Sequence, residues 1–85
     1  MMSVLFITFR SVTLAQRGEQ VLRRSGIRCS LQRTPRWMEE QGCGYCLRLR
    51  REDMEKAVRL LRQGQVQFRK TYEQDDAGNV EEVEP

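Results

Sequence analysis

The chain contains no histidine among its 85 residues, and this absence removes several kinds of chemistry. Catalysis by a Cys–His pair is excluded within one chain, because histidine is the usual base that activates a thiol in such pairs. A zinc site of the two-cysteine, two-histidine type is excluded for the same reason. Cysteine is also scarce: three residues, an odd number, are too few for a disulfide scaffold and favour a reducing compartment.

Long hydrophobic runs are missing as well. The one apolar run near the N-terminus, Val4 to Phe9, has no basic segment before it and is too short for a signal peptide or a membrane helix. We therefore expect a cytoplasmic protein with no membrane partner. A chain of 85 residues predicts one small domain with a limited core, for which a homodimer is a reasonable expectation.

Charge divides the chain into two parts. Residues 1–72 contain all fifteen Lys and Arg and six of the twelve acids, whereas residues 73–85 contain the other six acids and no base. The acidic end also contains Asp76-Ala77-Gly78-Asn79 and a terminal proline, which favours a flexible tail. The predicted domain organisation is thus one folded domain over residues 1–72 and an acidic, flexible C-terminal tail over residues 73–85.

Hydrophobic periodicity predicts a β-α-β-β-α-β order of elements. Ser11 is a typical N-cap and Gly26 a typical C-terminal stop for the first helix. The predicted elements are strands at 4–9, 27–32, 45–50 and 66–72, and helices at 12–25 and from Glu52 to Gly64. This order is typical of the ferredoxin-like α+β sandwich, a four-stranded antiparallel sheet of order 4-1-3-2 with both helices on one face.

The motif that carries chemistry is Gly42-Cys43-Gly44-Tyr45-Cys46, which precedes and enters the third strand. In the predicted topology its loop lies above the N-terminus of the first helix, at Ser11, where partial positive charge favours an anion. Arg10 and Arg36 are the nearest candidate cations, and such surroundings lower the pKa of a thiol. Cys43 is therefore predicted to be a nucleophilic thiolate.

Strand alternation separates the three cysteines. Cys29 shares its parity with core residues and is predicted to point inward, whereas Cys46 shares its parity with Arg48 and Arg50 and is predicted to lie on the open face of the sheet. A disulfide between Cys43 and Cys46 would require the Gly42 to Gly44 segment to bend.

Metal and nucleic-acid binding are less well supported by the pattern. One Cys-x-x-Cys pair supplies two ligands, and a closed zinc site needs four, so no metal or other cofactor is predicted. The basic body and the topology resemble those of an RNA-recognition module. However, base stacking would need Tyr45 on the open face, which would bury Arg48 and Arg50. We therefore predict no specific nucleic-acid partner, although loose attraction to a polyanion stays open.

Taken together, four short motifs resemble the selenium/sulfur carrier-like family of small bacterial cytoplasmic domains. The resemblance covers about residues 4 to 70, and its motifs are Thr8-Phe9-Arg10-Ser11, Gly26-Ile27, Thr34-Pro35-Arg36 and Cys43-Gly44. It implies that Cys43 accepts sulfur or selenium as a persulfide or perselenide, and that Arg36 and the helix end at Ser11 stabilise the anion. A donor protein such as a cysteine desulfurase is the implied partner.

Two functions follow as expectations. The first is a carrier, or a thiol redox accessory protein, rather than a true enzyme, with Cys43 as acceptor and Cys46 as an optional resolving thiol. Its predicted binding residues are Arg10, Ser11, Arg36, Trp37 and Gly44. The alternative is a non-catalytic interaction module that binds a protein or polyanion through its basic face and the Trp37 loop. Glu39 and Glu40 depart from the family pattern, because carboxylates near Cys43 would oppose its ionisation.

Overall fold

The structure is a computed structural model that describes residues 3–35 and 44–84. It is an α+β fold, in which a five-stranded antiparallel sheet packs against two helices. The elements are β1 (Val4–Thr8), α1 (Val12–Arg24), β2 (Cys29–Arg33), β3 (Tyr45–Arg50), a single 3₁₀ turn (Arg51–Asp53), α2 (Met54–Gln63), β4 (Thr71–Gln74) and β5 (Val80–Val83). Among the described residues, neither helix has the length and apolar character needed to cross a membrane.

The strand order is β2-β3-β1-β4-β5, which contains the predicted 4-1-3-2 order and adds one strand. Strand β1 is central: Ile7 pairs with Leu47 of β3 on one side and with Thr71 of β4 on the other. We call the edge at which β1 and β2 end, and β3 and β4 begin, the upper edge of the sheet. The ferredoxin-like topology is thus compatible with the structure, but the prediction of four strands is wrong.

Both helices contribute to one core cluster on a single face of the sheet. The predicted core face of α2 is confirmed, since Met54, Ala57, Val58 and Leu61 are all buried. From α1, the buried residues are Ala15, Gly18 and Leu22. The lack of a side chain at Gly18 lets α1 pack closely on the core. A Cβ atom built there would lie 3.0 Å from Cζ of Phe9 and 3.3 Å from side-chain carbons of Leu47 and Leu61.

The fifth strand lies within the segment that the sequence predicted to be a flexible tail. Strand β5 pairs with β4 through a hairpin whose turn is held by Asp75, and this hairpin accounts for the strand that the prediction of four lacked. The Asp75 carboxylate accepts hydrogen bonds from the amides of Ala77 and Asn79, both at 2.9 Å, and Gly78 has a φ of 88°. Asp, Gly and Asn in this order are typical of a hairpin turn as much as of a tail.

The fourth strand also begins later than predicted. Residues 66–70 form no regular strand, although Val66 is buried and Phe68 packs against the core. This segment is tied at both ends: the amide of Val66 donates to the carbonyl of Leu61 at 2.9 Å, and the amide of Arg69 donates to the carbonyl of Thr8 at 2.7 Å. The apolar residues of this connection therefore fill the end of the core instead of entering the sheet.

Replacing Gly18 by alanine should destabilise the protein, against the order of helix propensities. Alanine is favoured over glycine in a helix by about 0.5–1 kcal/mol, but the added methyl group would displace Phe9, Leu47 or Leu61. Overpacking of this kind costs about 1–3 kcal/mol. Urea denaturation of Gly18→Ala, with the exposed Gln16→Ala as control, measures the effect. A Gly18→Ala protein more stable than the wild type would contradict the close packing.

Replacing Asp75 by alanine should weaken the β4–β5 hairpin. Loss of the carboxylate leaves the amides of Ala77 and Asn79 without their intramolecular acceptor, which should lower the free energy of unfolding by about 1–2 kcal/mol. Amide hydrogen exchange should accelerate in β5 and not in β2. Asp75→Asn, which keeps one acceptor oxygen, is the matched control. Unchanged exchange in β5 of Asp75→Ala would show that the turn does not hold the strand.

Candidate functional site at the upper edge of the sheet

The predicted binding residues that the structure describes, Arg10, Ser11 and Gly44, lie near the upper edge, where the connection from β2 to β3 leaves and re-enters the sheet. Arg33 pairs with Tyr45 at the ends of these strands. The next residue, Thr34, donates its amide to the carbonyl of Gly44 at 2.8 Å. This hydrogen bond closes the base of the connection, so Gly44 is fixed to the sheet one residue after Cys43.

Gly44 is buried and has a φ of 83°. This conformation lies in the left-handed region, which glycine adopts at little cost and a side-chain-bearing residue adopts rarely. The second residue of the Cys43-Gly44 motif is therefore required to be glycine by its left-handed backbone conformation. Gly44 is explained by the turn, whether or not it also contacts a ligand.

Arg10 and Ser11 connect β1 to α1 at the same edge. The prediction of a Ser11 N-cap is confirmed: its backbone is extended and its hydroxyl oxygen accepts a hydrogen bond from the amide of Leu14 at 3.1 Å. The Ser11 oxygen is therefore engaged in capping, and any effect on an anion comes through the helix end. Arg10 is exposed.

Three of the predicted site residues, Arg36, Trp37 and Cys43, lie outside the described residues, as do Glu39 and Glu40. Their roles stay predictions. Thr34 and Gly44 lie at the two ends of the connection that contains these residues. Both lie at the upper edge of the sheet, where α1 also begins.

Cys29 points inward, as predicted, and is 7% exposed. Its thiol faces the Glu19 carbonyl oxygen of α1 at 4.0 Å, and the Arg23 guanidinium group donates a hydrogen bond to the Cys29 carbonyl oxygen at 3.1 Å. Burial raises the pKa of the Cys29 thiol above its ordinary value; the Glu19 carboxylate raises it further, and Arg23 opposes the shift. The thiolate is the reactive form, so Cys29 is a structural residue.

Cys46 requires a correction. It lies on the predicted face of the sheet, in alternation with Arg48, but that face is not open at this position and the side chain is 0% exposed. Cys46 forms a second, smaller apolar cluster with Phe6 and Tyr72. The aromatic residues Phe6 of β1 and Tyr72 of β4 lie on this face and make it apolar where the alternation in β3 predicted an open surface.

Tyr45 lies on the face opposite to Cys46, as the alternation predicted. Its ring is contacted by the guanidinium group of Arg33, whose Cζ lies 5.5 Å from the ring centroid. Arg48 and Arg50 are exposed on the other face. The aromatic ring of β3 that base stacking would need is therefore turned away from the basic face.

Sequence reasoning missed a cavity beside Arg10. The cavity has a volume of about 500 Å³, and it is lined by residues from three separate parts of the chain: Arg10, Arg62, Gln65, Val66, Gln67, Phe68 and Arg69. Only Arg10 was singled out from the sequence, because residues 66–70 were predicted to be a strand, which would have distributed these side chains between two faces.

Comparison with known proteins places the chain in a family. The family model described as "Putative Se/S carrier protein-like" matches residues 5–73, which is most of the chain and includes every element from β1 to the start of β4. The chain belongs to this selenium/sulfur carrier-like family. No curated protein and no solved structure matches the chain.

Burial predicts how the two described cysteines react with alkylating reagents. In the native protein at neutral pH, iodoacetamide should label Cys29 and Cys46 much more slowly than in the urea-unfolded chain, because both side chains are buried and the Cys29 pKa is raised. Peptide mass spectrometry after timed quenching resolves the three thiols. Labelling of native Cys46 at the rate of the unfolded chain would contradict its burial in the cluster with Phe6 and Tyr72.

Proposed function

We propose that this protein is a sulfur or selenium carrier in which Cys43 accepts the cargo atom. Membership of the selenium/sulfur carrier-like family is the observation that carries the proposal. The burial of Cys29 and Cys46 supports the choice of Cys43, because a carrier thiol has to meet the donor protein at the surface.

The transfer is a thiol exchange that needs no external oxidant. The Cys43 thiolate attacks the outer sulfur of a persulfide on the donor protein, such as a cysteine desulfurase. A sulfur–sulfur bond forms at Cys43 as the donor's sulfur–sulfur bond breaks, and the donor cysteine leaves as a thiolate with the electron pair. Delivery is the same kind of exchange: a thiolate of the acceptor attacks the outer sulfur of the Cys43 persulfide, and Cys43 leaves as the thiolate.

Positive charge at the upper edge supports the anionic forms of this thiol. The N-terminus of α1 carries partial positive charge within its first turn, and Arg10 precedes it. Arg36 adds a third positive group in the proposal. Thiolates and persulfide anions are both favoured by such surroundings.

Cys46 has a different role in the proposal from the one that the sequence favoured. A resolving thiol has to reach the persulfide, and Cys46 is enclosed with Phe6 and Tyr72. We assign it to packing, so that cargo is released by an external acceptor thiol and not by an internal disulfide.

The carrier proposal predicts a gain of one sulfur atom that depends on Cys43. After incubation with a cysteine desulfurase and cysteine, intact-mass analysis should show this adduct on the wild type and not on Cys43→Ser. With selenocysteine as substrate, the corresponding selenium adduct tests the second cargo. Cys29→Ala and Cys46→Ala, at the two buried positions, are the matched controls and should both carry the adduct. Equal adducts on Cys43→Ser and the wild type would exclude Cys43 as the acceptor.

The alternative, a module that binds a polyanion, is favoured by one observation. A second cavity, of about 370 Å³, is lined in part by Arg28, Arg48 and Arg50. Glu52 and Asp53 hold Arg50 at 3.0 and 3.2 Å. Within residues 3–35 and 44–84, by contrast, Arg28 and Arg48 form no ion pair. Arg48→Gln should weaken polyanion binding if this face is used, and it should leave the sulfur adduct unchanged.

A further inference from the structure

The cavity at Arg10, Arg62 and Arg69 is lined by three cationic side chains. Among residues 3–35 and 44–84, which the structure describes, no acidic side chain lines it and none of its three arginines forms an ion pair. Four cations elsewhere in the described residues do have such a partner: Arg23, Arg50, Arg51 and Lys70 each lie within 4.0 Å of a carboxylate oxygen. Three guanidinium groups around one cavity repel each other, and a bound anion would remove that repulsion.

The arginines come from three parts of the chain that the fold brings together. Arg10 follows β1, Arg62 is in the last turn of α2, and Arg69 precedes β4. Arg69 is positioned by the main chain on both sides, because its amide donates to the Thr8 carbonyl at 2.7 Å and the amide of Lys70 donates to the Thr8 hydroxyl at 3.1 Å. The wall of the cavity that contains Arg69 is therefore held in place by hydrogen bonds to Thr8.

Its walls combine charge with an apolar surface. Phe68 is half-buried against the core and Val66 is buried, so that the inner side of the cavity is apolar. Gln65 and Gln67 are exposed and supply amide donors and acceptors. Gln65 also has a φ of 58°, a conformation uncommon for residues other than glycine, asparagine and aspartate.

These features fit a phosphate group attached to a planar organic group. A phosphomonoester has two negative charges and three terminal oxygens, which suits several guanidinium groups better than a single carboxylate does. A cavity of about 500 Å³ is larger than phosphate alone requires and lies in the usual range for small-molecule sites. A nucleobase can stack on an aromatic ring and hydrogen-bond to side-chain amides.

We propose that the cavity formed by Arg10, Arg62, Phe68 and Arg69 binds a nucleoside monophosphate, with the phosphate at the arginines and the base against Phe68. This proposal does not rest on the carrier function, since none of its residues needs Cys43. The same chemical group occurs on a free nucleotide and at the 5′ end of an RNA chain, and the experiment separates these sources.

Calorimetric titration at low ionic strength with AMP, ribose 5-phosphate and inorganic phosphate tests the site. AMP should bind most tightly. Arg62→Gln should weaken AMP binding by about tenfold or more, the effect of losing a charge-assisted hydrogen bond. Arg59→Gln is the matched control, because Arg59 is exposed on the same helix and does not line the cavity; it should change the affinity less than twofold. Phe68→Leu should weaken AMP binding and leave phosphate binding unchanged.

A pair of short RNA chains, one with a 5′ phosphate and one with a 5′ hydroxyl, distinguishes the two sources. Preference for the phosphorylated RNA over AMP, abolished by Arg62→Gln, would assign the site to an RNA end; preference for AMP would assign it to a free nucleotide. Equal binding of both RNAs, or equal losses in Arg59→Gln and Arg62→Gln, would overturn the proposal in favour of general attraction to polyanions. No binding of AMP at millimolar concentration would also overturn it. Cys43→Ser should bind AMP at least as tightly as the wild type does, so failure of the carrier function leaves this test intact.

Discussion

The pairing of β1 with β3 and β4 is the constraint on which the rest of this structure depends. Because β1 is hydrogen-bonded on both sides, its end at Thr8 fixes the upper edge, where α1 begins, β3 starts and residues 69–70 approach β4. Arg10 follows β1 directly, and the amide of Arg69 donates a hydrogen bond to Thr8 at the end of β1. Thr34 and Gly44, at the two ends of the β2–β3 connection, lie at the same edge.

The same strand also decides what the two faces of the sheet can do. Leu5 and Ile7 face the helices, whereas Phe6 lies on the opposite face with Cys46 and Tyr72. Phe6 lies at the centre of that face and makes it partly apolar. The face therefore contains a second, small buried cluster in addition to its exposed arginines. One consequence is that a cysteine can be placed on the solvent side of a sheet and still be protected from solvent.

Much of the fold could be predicted because its signals are local. Ser11, Gly26 and the apolar spacing of α2 act within one or two helical turns, and the alternation in β3 determines the faces of Tyr45 and Cys46. The errors arose where a local pattern had two interpretations. Asp75 to Asn79 is acidic enough for a tail and also has the composition of a hairpin turn; Val66 and Phe68 alternate as in a strand but fill the end of the core. The exposure of Cys46 depends on Phe6 and Tyr72, which are distant in sequence, so it could not be predicted from the alternation in β3.

The clustering of arginines near one edge has a physical consequence for the carrier proposal. Arg10 borders the cavity with Arg62 and Arg69 and also precedes the N-terminus of α1, so one guanidinium group contributes to the potential at both places. An anion bound in the cavity would neutralise part of that charge and would raise the pKa of a thiol held near the helix end, because the thiolate would lose favourable interaction. A thiolate would in turn weaken binding in the cavity by the same free energy, since coupling between two sites is reciprocal. Occupation of the cavity and ionisation of the carrier thiol would therefore oppose each other through Arg10, and the strength of that opposition would fall with increasing ionic strength.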